Sequence, residues 1–63
     1  GSPNRVATSR LTLAGILTSL DRPAEALEQL DMAEEAAREL GSSAKIQRIT
    51  RMRGRLKDMD AQQ

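Results

Sequence analysis

The stretch LTLAGILTSLDRPAEALEQLDMA, residues 11–33, decides the fold. At its centre stands Asp21-Arg22-Pro23. A proline fits the first turn of a helix, where its missing N–H would have no intrahelical acceptor, and Asp21 is placed to cap the helix that Pro23 begins. On both sides the apolar residues recur every three or four positions, which is the helical period. A break this short between two helices implies an antiparallel hairpin.

Working outward, the first helix is expected over about residues 4–20 with Asn4 as its cap, and Val6, Leu13, Leu17 and Leu20 share one side. Leu11 and Ile16 fall off that stripe. They are candidates for a contact surface, with burial beneath a third helix as the alternative. If they form a contact surface, Leu17→Asp unfolds the hairpin, whereas Leu11→Asp spares helicity and breaks association. The second helix is expected over about 23–40, with Ala26, Leu27, Leu30, Ala33, Ala37 and Leu40 on one face and Gly41 as its stop. Glu25 near its start and Arg38 near its end suit the helix dipole.

Ser42 or Ser43 is suited to cap a third helix over about 43–59, in which Ile46, Ile49, Met52, Leu56 and Met59 form a narrow apolar stripe. Gly54 in its interior either permits close packing or marks early fraying, and residues 60–63 are expected to be a mobile tail. Gly1, Ser2 and Pro3 read as the remnant of a removed tag. The expected fold class is therefore all-α, a three-helix antiparallel bundle in a single domain over residues 4–59.

Composition narrows what such a bundle does. The chain has 63 residues, no aromatic side chain, no cysteine and no histidine. A core built only from aliphatic side chains is thin at this length. The usual metal ligands, the commonest general base and every disulfide are absent. Ser9, Ser19, Ser42 and Ser43 have no histidine to activate them, and Lys45 and Lys57 have no evident pocket to lower their pKa. Gly15, Gly41 and Gly54 belong to no phosphate-binding motif. Glu25, Glu28, Asp31 and Glu35, three or four apart, are expected to form a solvated acidic face rather than an acid–base pair or cation site. No catalytic residue, cofactor or metal ligand is expected, and the chain is not expected to be an enzyme. Without a membrane-length apolar run or a signal peptide, a cytoplasmic protein with no membrane partner is expected.

The net charge of +1 hides a dipole. Between Ala24 and Leu40, Glu25, Glu28, Asp31, Glu34, Glu35 and Glu39 face one base, Arg38, whereas Lys45, Arg48, Arg51, Arg53, Arg55 and Lys57 fill the next stretch. The basic helix is expected to lie beside the acidic one, in the same chain or in a partner copy, the charges fixing orientation more than stability. The alternatives are an acidic protein ligand and nucleic acid, of which single strands are disfavoured by the lack of aromatic stacking platforms.

Leu13-Ala14, Leu17, Leu20, Ala26-Leu27, Leu30 and Ala33 together resemble a tetratricopeptide repeat. Such repeats place a large and then a small residue where Leu13 and Ala14 stand, and small residues at Ala26 and Ala33, where the two helices approach closest. Arg10 replaces the first large residue of the pattern, and Arg38 stands where its closing proline would fall. A second helix continuing to Glu39-Leu40-Gly41 resembles the repeats that follow DNA-binding domains in some bacterial regulators. At the repeat distance of about 34 residues beyond Leu13 and Ala14 come Gln47 and Arg48, so the third helix resembles a closing helix more than a new repeat.

The resemblance implies a protein-protein interaction and assembly module whose partner is another protein or another copy of itself, self-associating or cut from a larger repeat protein. Leu11, Ile16 and Leu20 are the candidate apolar contacts, and Arg48, Arg51 and Arg55 are the candidate orienting charges. Two alternatives are a nucleic-acid-binding accessory module using the basic third helix and a docking segment of a multienzyme synthase or regulator.

Overall fold

A computed structural model describes residues 2 to 62 and folds them into an all-α three-helix bundle, α1 (Pro3–Ser19), α2 (Pro23–Leu40) and α3 (Ser43–Ala61). The helix ends follow from local chemistry. Ser2 caps α1, its hydroxyl accepting the Arg5 N–H at 3.2 Å, and Pro3 occupies the first helical turn. The helix thus begins one residue before Asn4, because serine followed by proline supplies both the acceptor and the preset φ.

At the other end Asp21 adopts φ 59, a left-handed conformation. The Asp21 and Arg22 N–H groups then donate back to the Thr18 and Leu17 carbonyls, at 3.1 and 2.9 Å. The same reversal ends α2, where Gly41 has φ 73 and the Gly41 and Ser42 N–H groups return to Arg38 and Ala37. Aspartate is among the few residues with a side chain that enter this region routinely. Asp21 therefore serves the end of α1; the residue preceding α2 is Arg22, which makes no side-chain cap bond. The expected cap on α2 is corrected accordingly. Ser42 caps α3 by accepting the Lys45 N–H at 3.2 Å.

The hairpin expected from Pro23 is present, and α2 occupies the centre. It packs extensively on α1 and on α3, which scarcely touch each other. The α1–α2 seam is made of small side chains. Ala7 and Ala14 of α1 and Ala26, Ala33 and Ala37 of α2 are fully buried, with Leu11 and Leu30 between them. On the opposite flank of α2, Ile49 and Leu56 of α3 complete the core, with Leu27, Ile46, Met52 and Met59 packed against it.

This reverses the expected faces of α1. Leu11 is 5% exposed and belongs to the core, whereas Val6 at 38%, Leu13 at 36% and Leu20 at 60% lie at the surface, and only Leu17 of the expected stripe is buried. The cause is steric. Against a face of alanines on α2, the face of α1 that also presents alanine lets the backbones approach closest and exposes the fewest gaps. Leu40 is likewise exposed.

Helix α3 continues through Asp60 to Ala61, so the residues expected to be a mobile tail are helical up to there, and Gln63 lies outside the described residues. Gly54 neither frays the helix nor admits a close neighbour, because nothing lies within 4 Å of a Cβ built there. Gly54→Ala is therefore expected to raise stability by about 1 kcal/mol through restricted unfolded-state freedom and better helix propensity. Thermal unfolding followed by circular dichroism checks this, and a lowered midpoint would show that α3 needs the glycine.

Candidate functional site: an apolar stripe and two charged faces

Three surfaces stand out on this scaffold. The first is the outward face of α1. Val6, Leu13, Ile16 and Leu20 are all exposed, Ile16 to 52%. With the exposed Ser9 they follow one another at intervals of three, four, three and four residues, which places them in one line along the helix. Two of the three expected apolar contacts, Ile16 and Leu20, lie on this line; Leu11 takes the buried alternative. Beside its N-terminal half runs a shallow groove of about 300 Å³ between α1 and α2, lined by Val6, Arg10, Met32, Ala36 and Glu39. Arg10 spans the seam there, donating from Nη1 to Gln29 Oε1 at 2.9 Å.

The second surface is the junction of acidic α2 with basic α3, where the expected charge pairing occurs within the chain. Arg53 donates to Glu34 Oε1 at 2.5 Å and to Asp31 Oδ1 at 2.9 Å, and Arg38 donates to Glu34 Oε2 at 2.6 Å from Nη2. Glu34 and Arg53 have side-chain exposures of only 21% and 24%, so this bridge is screened less than one in open water. Its energetic contribution is modest, and its main effect is to set how α3 lies along α2.

The hydrogen bonds from Arg53 and then Arg38 hold the Glu34 carboxyl below its ordinary value of 4.5, and donating to Glu34 raises Arg53 in turn. A carboxyl with a lowered folded pKa contributes stability that is present in full above its unfolded value and is lost as the pH falls through the folded one. Acidification below about pH 4.5 is therefore expected to lower the unfolding midpoint more in the unsubstituted chain than in Glu34→Gln. Parallel acid titrations of the two would reveal a Glu34 of no consequence. Nothing in the sequence singled out Arg53 from the other bases; its register opposite Glu34 and Asp31 exists only once α3 lies on α2.

The third surface is the outer side of α3. Arg48, Arg51 and Arg55 are exposed, three and four residues apart, and form no ion pair among the described residues. They are not used to orient α3 within the chain, since Arg53 does that. The hydroxyls of Thr12, Thr18, Ser19 and Thr50 each donate to the carbonyl four residues earlier, which satisfies them locally. Among the described residues no helix is long and apolar enough to cross a membrane. No family model, curated protein or solved structure matches the chain.

Proposed function

We propose that the chain is a protein-protein interaction module of the tetratricopeptide-like kind, acting by helix packing through the exposed face of α1 and not by catalysis. The observation that carries this is the line of Val6, Leu13, Ile16 and Leu20 left in water on a chain whose core is thin. Aliphatic side chains aligned along one helix are the surface that accepts an amphipathic helix, and grouped exposure of this kind marks contact sites in a way that scattered leucines do not. The packing of α2 between two helices that scarcely touch, with Ala14, Ala26 and Ala33 fully buried, supports the repeat-like arrangement. The partner is a protein helix, whether in a longer assembly, in a docking contact or in another copy.

Fluorescence anisotropy with a labelled synthetic amphipathic helix, leucines at heptad spacing, tests this. Binding is expected, and Ile16→Lys together with Leu20→Lys is expected to weaken it at least about tenfold, a loss of about 1.4 kcal/mol, with helicity retained. Equal binding by the substituted chain would remove the α1 face from consideration. A DNA duplex serves as the rival probe. Duplex binding that falls steeply with salt and is lost when Arg48, Arg51 and Arg55 become glutamine would assign the function to α3 instead.

A further inference from the structure

We infer that the α1 face is covered by a second copy of the same chain, with the two α1 helices antiparallel across a twofold axis; this rests on the interaction role proposed above and names the partner. Val6, Ser9, Leu13, Ile16 and Leu20 occupy the alternating three-and-four spacing of a two-stranded seam over two heptads. Reversing one helix against the other brings Val6 to Ile16 of the second copy and Ser9 to Leu13 of the second copy. The twofold axis repeats both pairs, so one stripe satisfies itself, as an interface between identical surfaces must. The small Ser9 leaves room for the large Leu13 opposite it, and Leu20 reaches the half-buried Pro3 of the second copy.

Charge selects the antiparallel direction. Helix α1 carries Arg5 in its first turn with no acid there, and it has no base in its last turn. The first opposes the helix dipole, which favours acids at the N-terminus and bases at the C-terminus, and the second leaves the C-terminal end uncompensated. Antiparallel packing places Arg5 of each copy beside Ser19 in the last turn of the other, at the negative end of that helix's dipole, and so offsets both ends at once. Parallel packing would set two N-termini and two Arg5 side by side. Arg10, hydrogen-bonded to Gln29 on α2, flanks this line beside Val6, Ser9 and Leu13.

A seam of two heptads on single helices falls below the roughly 1,200 Å² of total buried area that characterises stable complexes. The dimer is accordingly weak, with a dissociation constant in the micromolar range or above, and its population depends on concentration.

Sedimentation equilibrium across concentrations up to millimolar, combined with disulfide trapping, tests this. The chain has no cysteine of its own, so Val6→Cys and Ile16→Cys can be made singly and mixed. The expected results are a monomer–dimer equilibrium, a shift to monomer in Ile16→Lys with helicity unchanged, and a disulfide joining the two unlike chains but not two copies of Val6→Cys. A monomer at every concentration, a bond between two Val6→Cys chains, or an oligomer indifferent to Ile16→Lys would overturn the inference. If Ile16→Lys unfolded, the trapping result would still decide between the orientations. A chain that stays monomeric yet binds the synthetic helix would refute the dimer alone, whereas failure of both assays would refute the interaction role as well.

Discussion

Leu30→Ala is expected to leave the chain largely unfolded at room temperature. Leu30 is fully buried on α2, the helix that contacts both others, and it is one of the few large side chains the core contains. Truncating a buried leucine costs about 2–5 kcal/mol, and the cost is highest where neighbours cannot move into the gap. Four of the eight residues that share its buried cluster are alanines, Ala14, Ala26, Ala33 and Ala37, whose methyl groups have no length with which to fill it. A core of this size rarely supplies more than about 3–5 kcal/mol in all, so one truncation removes most of the margin. Urea denaturation followed by far-ultraviolet circular dichroism gives the answer directly. A variant retaining its helicity and midpoint would mean that the bundle does not depend on the packing around Leu30.

The second large effect separates two residues on the same helix. Leu11→Asp is expected to unfold the chain, whereas Ile16→Asp is expected to leave it folded. At position 11 the carboxylate would enter an apolar cluster in which every large neighbour is aliphatic, and a charge buried without a partner costs several kcal/mol. At position 16 the side chain is half in water, where substitutions change stability by about 0.5 kcal/mol either way, with a further loss of about 0.3–1 kcal/mol for an acid in the last turn of a helix. Helicity measured at one temperature for both variants distinguishes them. Equal helicity in the two would mean that α1 presents a different face to α2. The expectation from sequence alone was that Leu11→Asp would spare the fold, and the burial of Leu11 overturns it.

Much of this chain is readable from residue order. Pro23, Gly41 and Ser42 place both breaks, and the three- and four-residue recurrence of Ala26, Leu30, Ala33 and Ala37 on α2 and of Ile46, Ile49, Met52, Leu56 and Met59 on α3 identifies the faces by which those helices pack. The contrast between acidic α2 and basic α3 leads to the expectation that the two lie side by side, in one chain or across two copies, and the contacts of Arg53 with Glu34 and Asp31 occur within one chain. The face of α1 was not readable in the same way. Both of its sides carry aliphatic residues, and summed hydrophobicity favours Val6, Leu13 and Leu20 over Ala7, Leu11 and Ala14. The signal that would have found the buried side is the small-large-small spacing of Ala7, Leu11 and Ala14, which mirrors the alanines of α2.

The sequence by itself determined that there are three helices, that α2 and α3 are oppositely charged, and which side of each is apolar, because these follow from backbone propensity, capping and period within one segment. Only the tertiary structure decided which of the two apolar sides of α1 is covered, which arginine is paired, and therefore which surfaces remain open to a partner. Those choices depend on how closely two particular helices approach and in what register. Closest approach belongs to the pair of facing surfaces, and no single helix contains it.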